Sequence, residues 1–203
     1  MSHDPASSPP GAGPHDAAGD LTTIARIGLL GLLGLYQLRW MGGGGPLSSI
    51  DLAIHEAGHL VFMPFGDVVG ALGGTLLQLI VPAAFVAYFL RRGDHYAAAI
   101  PFWWVGENLW HIAPYVADAR AQVLPLVGGG EHDWAFLLAT WRLLPHDQEI
   151  AAGIRLAGSV IAVAAVILGL KHARGAAVPE DRTSDAARPS ARTSFARRAP
   201  RSR

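Results

Sequence analysis

Apolar residues are concentrated in five stretches of the chain, and this pattern predicts a bundle of helices. The stretches cover residues 21–40, 47–65, 68–90, 95–117 and 154–170. The segment 68–90 carries no charged side chain over a length that lets a helix cross the hydrocarbon core of a bilayer. The expected fold class is all-α: a polytopic membrane helix bundle of about four to five transmembrane helices with disordered termini.

The segments at the edges of these stretches predict how the helices are connected. Residues 21–40 form either a short span or a helix lying in the membrane interface, and a span is favoured. Met41 to Gly45 is a glycine hinge, and Pro46 is expected in the first turn of the helix that follows. Gly128 to Gly130 indicate a loop, which is followed by a short apolar helix from Trp134 to Leu144.

Both ends of the chain are expected to be disordered, because they are rich in small and polar residues and have no apolar periodicity. Residues 1–20 form the N-terminal tail and residues 171–203 a basic C-terminal tail, so the membrane-embedded helical domain covers residues 21–170. The segment from Lys171 onward holds nine Lys/Arg and three Asp/Glu. Positive charge favours the cytoplasmic face, so this tail and the pair Arg91–Arg92 are both expected there, separated by two spans.

The composition indicates an integral membrane protein, expected in a bacterial cell (inner) membrane with its C-terminal tail in the cytoplasm. Hydrophobic residues make up 51% of the chain and charged residues 16%, against roughly 25% charged residues in soluble domains. The lipid bilayer is therefore an expected partner, and no segment has the pattern of a nucleic-acid-binding motif or a cleaved signal peptide. The chain has no cysteine, which excludes disulfides, iron–sulfur clusters and thiolate zinc sites.

Within the stretch 47–65, the segment His55-Glu56-Ala57-Gly58-His59 has the spacing of a metal site. Residues i and i+4 of a helix share a face, so both imidazoles can reach one tetrahedral Zn²⁺. Glu56 can then act as general base on a water activated by the zinc. Ionisable groups are costly inside an apolar helix, which favours a functional role for them. The other interpretation is a polar helix face buried in the bundle without a metal.

A catalytic zinc site usually has three protein ligands and one open position, so a third ligand is needed. The best source is the stripe formed by Glu107, His111 and Asp118, which recur at the spacing of one helix face. Asn108 lies next to this stripe. The other interpretation is a hydrogen-bonded polar stripe, or a set of loop residues near the membrane interface.

The motifs resemble those of the site-two protease family of intramembrane zinc metalloproteases. The resemblance rests on a helix with His-Glu-x-Gly-His, an apolar helix with Gly-Gly, and a following Asn, Pro and Asp, and it covers about residues 47–120. The resemblance implies that zinc is bound by His55, His59 and Asp118. It also implies that Glu56 is the general base and that Asn108 is a polar group near the substrate or the oxyanion. The substrate implied is a transmembrane helix, so a membrane protein is the expected partner.

The second motif departs from the pattern of that family, which resembles Asn-x-x-Pro with an Asp-Gly shortly after. Here His111 stands in the place of the proline, and Ala119 follows Asp118. His111 and Glu107 are therefore alternatives to Asp118 as the third ligand.

His132 and Asp133, which follow the glycine loop, form a further candidate group. A flexible loop can bring them over the metal, either as a ligand or in hydrogen bonds to ligands. Asp133 can instead cap the helix that begins near Trp134, and this interpretation is favoured.

The function expected from these residues is that of a membrane-embedded zinc metalloendopeptidase, which hydrolyses peptide bonds of membrane proteins with Glu56 as general base. The alternative is a non-proteolytic membrane zinc-binding protein, such as a transporter, a sensor or a scaffold. An oxygen-dependent di-iron hydroxylase or desaturase fits less well, because such enzymes need histidine-richer motifs than nine scattered histidines provide.

Overall fold

The computed structural model describes residues 14–40, 44–125 and 131–174, and within these ranges every regular element is a helix. The predicted all-α class is therefore confirmed. The α-helices of the described residues are α1 Pro14–Arg39, α2 Ser48–Phe62, α3 Asp67–Arg91, α4 His95–Ala117, α5 Asp133–Thr140 and α6 Asp147–His172. Short 3₁₀ turns, Met63–Phe65 and Leu144–His146, follow α2 and precede α6.

The predicted limits of the two tails need correction. α1 begins at Pro14, so residues 14–20, predicted as part of the disordered tail, are helical. Proline is well suited to the first turn of a helix, where its missing N–H is not needed. α6 continues to His172, beyond the predicted boundary at residue 170. The remaining tail residues, 1–13 and 175–203, and the predicted glycine loop lie outside the described residues.

Three of the described helices are long and apolar enough to cross a membrane. They are Gly19–Arg39 in α1, Asp67–Arg91, which is α3, and Leu144–His172, which contains α6. They correspond to three of the predicted apolar stretches. Their length and composition are compatible with an integral membrane protein.

The predicted span 95–117 forms α4 with the same bounds, but it is not among those three helices. α4 lies at the centre of the bundle between α3 and α6, and eleven of its residues are buried. A helix enclosed by other helices does not need an apolar surface all round. α4 can therefore carry Glu107, Asn108 and His111 in the middle of an otherwise apolar sequence.

α4 packs closely on both of its long neighbours. A tight turn connects it to α3, and the Asp94 carboxylate caps its first turn by accepting a hydrogen bond from Ala97 N at 2.9 Å. Against α6 the approach is closest at Gly106 and Gly158, where a Cβ on either residue would lie 2.7 Å from the carbonyl oxygen of the other. Small residues of this kind allow helix backbones to touch in membrane proteins.

The helix directions define two ends of the bundle. The ring of His95, at the start of α4, lies 5.0 Å from the ring of His172, at the end of α6. At the other end, Gln148 donates a hydrogen bond to the carbonyl of Ala117 at 2.6 Å. The turn with Arg91–Arg92 and the C-terminus of α6 therefore lie at the same end, called the basic end below. That both lie on the cytoplasmic side of a membrane stays a prediction.

α1 leads into α2 through a turn that a tyrosine holds in place. The Tyr36 hydroxyl accepts a hydrogen bond from Leu47 N at 3.0 Å. Ser48 N donates to Gly45 O at 2.9 Å, which closes a turn before the helix starts. α2 begins at Ser48, so Pro46 lies in this turn and not, as predicted, in the first turn of the helix.

α5 closes the end of the bundle opposite the basic end. It stops at Thr140, earlier than the predicted Leu144, because the backbone turns at Arg142, which has a φ of 58°. Leu137 and Leu138 are fully buried in a core with α4 and the start of α6. This apolar contact fixes where the first residue of α5, Asp133, lies.

Candidate metal centre

The polar residues of α2 share one face of the helix. Asp51, His55 and His59 are four residues apart, so they lie above one another. They line a cavity of about 970 Å³ that α3, α4 and the start of α5 also border. The opposite face of α2 presents exposed apolar side chains, among them Leu60 and Val61.

Close packing of α2 on α3 makes the space for one histidine. A Cβ atom on Gly58 would collide with the backbone of Gly73, so the two helices touch backbone to backbone. A Cβ atom on Gly74 would lie 2.5 Å from Nε2 of His55. Gly73 and Gly74 thus allow α3 to approach α2 closely, and the imidazole of His55 occupies the space that a larger side chain would fill.

Both histidines are oriented through the same ring nitrogen. Nδ1 of His59 lies 2.9 Å from the carbonyl oxygen of Gly70, and Nδ1 of His55 lies 3.1 Å from Oε1 of Gln78. A carbonyl oxygen only accepts hydrogen bonds, so Nδ1 carries the proton in each ring. Nε2 then offers a lone pair, which is the state of a histidine that binds a metal.

The two lone pairs point at one carboxylate oxygen. Oδ2 of Asp133 lies 3.4 Å from Nε2 of His55 and 3.3 Å from Nε2 of His59. The three donor atoms all lie within 4.8 Å of one another. Ligands at the usual distances from a tetrahedral zinc are about 3.3–3.6 Å apart. The group formed by His55, His59 and Asp133 therefore fits a zinc ion with three protein ligands and an open position.

The charges and lone pairs of His55, His59 and Asp133 also favour a bound cation. With Nδ1 protonated on both rings, Oδ2 of Asp133 faces two histidine lone pairs, and its one proton donor among the described residues is the Tyr115 hydroxyl. Such an arrangement of acceptors is unfavourable in a partly buried site unless a cation or additional protons lie between them. A divalent cation satisfies all three acceptors at once.

Tyr115 of α4 holds the carboxylate in position. Its hydroxyl donates to Oδ2 of Asp133 at 3.1 Å and accepts from the backbone N of Asp133 at 3.2 Å. The ring of Tyr115 stacks on the ring of His132, with 4.2 Å between the ring centroids. Asp133 is therefore fixed by both its backbone and its side chain.

The helix cap at the start of α5 is His132, and not Asp133 as favoured from the sequence. Nδ1 of His132 accepts a hydrogen bond from Ala135 N at 3.2 Å. A histidine seldom caps a helix, because the residues preferred at this position have short oxygen-bearing side chains. With the cap provided by His132, the carboxylate of Asp133 is directed to the histidine pair of α2.

Asp118, predicted as the third ligand, lies away from the histidine pair. Asp118 is the C-cap of α4, with its N–H still bonded to Pro114 O at 3.0 Å, but its carboxylate is engaged by the turn that follows the helix. Its carboxylate accepts hydrogen bonds from Val123 N and Leu124 N, both at 3.0 Å. It also lies 3.4 Å from Nε2 of His132. Asp118 thus holds the turn at residues 118–124.

The environment of Asp118 changes its acidity. Burial acts to raise the pKa of this carboxyl, but the hydrogen bonds from Val123 N and Leu124 N and the nearby His132 outweigh it and hold the pKa below its usual value. The charged form therefore persists at neutral pH and keeps the loop in place.

Glu56 lies on α2 next to the buried histidine and lines the same cavity. Its side chain is exposed to the cavity, unlike those of its neighbours on the polar face. This is the position expected of a base that acts on water near a metal without binding the metal.

Glu107 and His111 form a second group with Asp51, which lies one turn before His55 in α2. His111 lies 3.1 Å from Asp51 through Nδ1 and 3.1 Å from Glu107 through Nε2. Neither residue approaches the first group closely enough to complete it. Asn108 is fully buried and donates to the backbone of Trp104 at 3.0 Å. It does not line the cavity, which removes the geometric basis for its expected place beside a substrate.

The sequence alone did not identify the three residues that orient the first group, which are Tyr115, Gln78 and Gly70. Tyr115 continues the stripe of α4 one turn beyond His111, a signal that the helical spacing contains. Gln78 stands out as a lone amide in an apolar helix. The contribution of Gly70 is a backbone carbonyl, for which the residue type carries no signal.

Comparisons of the chain with protein-family models, with curated proteins and with solved structures found no match.

Proposed function

We propose that the protein is a membrane-embedded zinc metalloendopeptidase that hydrolyses peptide bonds of membrane proteins. The observation that carries this proposal is the convergence of His55, His59 and Asp133 on one point, next to Glu56 and inside a large cavity. A zinc ion bound there supplies Lewis acidity, which polarises a peptide carbonyl and makes a bound water more acidic.

The residues around the proposed zinc have distinct roles. His55 and His59 bind through Nε2 because Gln78 and Gly70 fix their Nδ1–H groups. Glu56 takes a proton from a water in the cavity and passes it to the leaving amine. The donor set supports zinc in particular, since imidazole and carboxylate ligands in a tetrahedral arrangement suit this ion.

The membrane location belongs to the proposal as well. The basic end would face the cytoplasm of a bacterial cell with the C-terminal tail, following the tendency of positive charge to stay inside. The metal centre lies toward the opposite end, where α5 and the loop at 118–125 border the cavity. A substrate helix would reach the centre from the bilayer or from the outer face.

The proposal is tested by comparing the wild-type protein with Glu56→Gln in cells and after purification of the full chain. Mass spectrometry of membrane fractions should detect new N-termini within membrane proteins in cells with the wild type and not with Glu56→Gln. Glu149→Gln is the matched control, because Glu149 is exposed on α6 outside the cavity. Identical N-termini in wild type and Glu56→Gln, with full zinc content in both, would refute a peptidase.

The alternative is a non-proteolytic membrane zinc protein, such as a transporter, a sensor or a scaffold. It is favoured by one observation: a second group of possible ligands, with Asp51, borders the same cavity one helical turn from the first. Two cation-binding groups in succession are useful for moving or sensing a metal. In this case the wild type should bind zinc without producing new N-termini in membrane proteins. Glu56→Gln should bind zinc as the wild type does, whereas His55→Ala should not.

A further inference from the structure

The second polar group of the bundle has an arrangement that hydrogen bonding alone does not explain. It joins Asp51 of α2 to Glu107 and His111 of α4, and their donor atoms lie within 4.8 Å of one another. Asp51 is 1% exposed and Glu107 2% exposed, so both carboxylates are removed from water. Charged groups are rarely placed so deep in an apolar bundle without a partner.

The carboxylate of Asp51 has well-defined partners. Its Oδ1 accepts a hydrogen bond from Trp104 Nε1 at 2.8 Å. Its Oδ2 lies 3.1 Å from Nδ1 of His111, so Nδ1 donates and carries the proton of the ring. In the neutral imidazole Nε2 is then left with a lone pair.

That lone pair of His111 faces Glu107. Nε2 and Oε1 are 3.1 Å apart. The two atoms are not aligned for a hydrogen bond, and neither oxygen of Glu107 has a hydrogen-bond partner among the described residues. A buried carboxylate without any donor next to an imidazole nitrogen is stabilised by a positive charge between them, which either a proton or a metal ion can supply.

A metal ion supplies this charge in a known way. Histidines that bind metals commonly donate their other N–H to a carboxylate, which fixes the ring and strengthens the ligand. Asp51, with Trp104 behind it, stands in that relation to His111. The site combines one imidazole with a carboxylate and no sulfur, which suits a divalent first-row transition metal such as Zn²⁺ or Mn²⁺, whereas Mg²⁺ and Ca²⁺ prefer oxygen ligands alone.

We propose that Glu107 and His111 bind a second divalent transition-metal ion, with Asp51 orienting the imidazole. The remaining coordination positions are filled by water, since Asp51 and His111 both line the cavity. This ion is distinct from the one proposed between His55, His59 and Asp133, and it does not depend on peptidase activity.

The test is the metal content of the purified full-length protein, loaded with Zn²⁺ or with Mn²⁺ and measured by mass spectrometry after removal of free ions. The wild type should hold two ions per chain and Glu107→Gln one. His59→Ala should also hold one, and the double variant none. Glu149→Gln serves as the control for loss of a glutamate charge and should hold two.

The role of Asp51 is tested by affinity rather than by stoichiometry. Asp51→Asn keeps the size of the side chain and an acceptor for Trp104, and it should weaken binding of the second ion about 10–100-fold while leaving the first unchanged. Circular dichroism and thermal unfolding establish that each variant is folded, which separates loss of a ligand from loss of the bundle.

Two results would overturn the proposal. One is a wild type with a single ion that His59→Ala abolishes and Glu107→Gln leaves in place, since the buried group would then hold a shared proton. The other is a wild type with two ions and an unchanged count in Glu107→Gln. A failed peptidase assay has no bearing on either result, so the two proposals are tested separately.

Discussion

Oδ2 of Asp133 lies 3.4 Å from Nε2 of His55, although 78 residues separate them in the chain. The contact joins the first residue of α5 to the middle of α2. It exists because α5 is held by its apolar side against α4 and because Tyr115 anchors the aspartate. The candidate metal centre is therefore made by tertiary packing around one short sequence motif.

Replacing Asp133 should remove the metal, and replacing Asp118 should not. Asp133→Asn is expected to weaken zinc binding by more than about 100-fold, beyond the range seen when outer partners of a ligand are lost. Asp118→Asn should keep one zinc ion at the first site. Its zinc affinity should fall only slightly, because the change loosens the turn at Val123 and Leu124 and removes no ligand. Zinc titration of both purified variants measures this difference. The reverse order of affinities would make Asp118 the ligand.

Tyr115 positions Asp133, and its hydroxyl can be removed alone. Tyr115→Phe should lower zinc affinity at the first site by about 10–100-fold. The ring and its stacking on His132 are preserved, so the helical content should stay the same. Tyr88→Phe is the control, because Tyr88 bonds only to the exposed Arg92 in the described structure. Equal zinc affinities in the two variants would show that the hydroxyl does not position the ligand.

Gly74 should be intolerant of even one added methyl group. Gly74→Ala places a Cβ against the His55 ring, so the ring must move and the zinc affinity should fall. The strain should also destabilise the fold by about 1–3 kcal/mol. Gly153→Ala, with nothing near the added atom, should instead raise stability by about 0.5–1 kcal/mol. Thermal unfolding and zinc content of both variants provide the measurements.

The stability of the metal-free protein should depend on the charge of Asp118. A carboxyl whose pKa is lower in the folded state stabilises the fold above its unfolded pKa, and this contribution is lost as the pH falls through the folded pKa. For Asp118 the loss therefore occurs below the usual aspartate value of 3.8. Unfolding measured between about pH 2.5 and 6 should show a shallower decline in Asp118→Asn than in the wild type. Parallel curves for the two proteins would show that Asp118 does not contribute to the pH dependence of stability.

The orientation in the membrane can be read from two single cysteines, since the chain has none of its own. Val123 is 78% exposed near the metal centre, and Arg174 is exposed at the basic end. In intact cells a membrane-impermeant maleimide should label Val123→Cys, and it should label Arg174→Cys only after lysis. Labelling of Arg174→Cys alone in intact cells would reverse the proposed orientation.

Most of the helical framework can be predicted from the sequence, because long apolar stretches bounded by glycine, proline and charge leave few alternatives. α4 has the bounds expected for it, and α2 and α3 begin and end close to the predicted residues. The predicted start of α1 was too late, because its first residues are small and polar and carry no apolar periodicity. Local composition thus identifies the interior of a helix better than its ends.

The third member of the candidate metal centre, Asp133, could not be identified from helical spacing. The stripe that ends in Asp118 assumes that its carboxylate points into the cavity with the others, whereas the backbone N–H groups of Val123 and Leu124 bind this carboxylate at the end of α4. Asp133 gives the expected signal of a helix cap, and only the capping hydrogen bond of His132 shows that its carboxylate is free for another role. Whether a loop folds back over a helix depends on contacts between segments distant in sequence, which periodicity does not report.

The distance in sequence between the ligands has a mechanical consequence. An ion bound by His55, His59 and Asp133 acts as a cross-link that closes a large loop of chain, in a protein without disulfides. A cross-link of this kind restricts the unfolded chain and removes entropy from it. α1 lies outside the loop and is largely exposed in its apolar part. Loading the metal should therefore slow the separation of α2 from α5 much more than the detachment of α1.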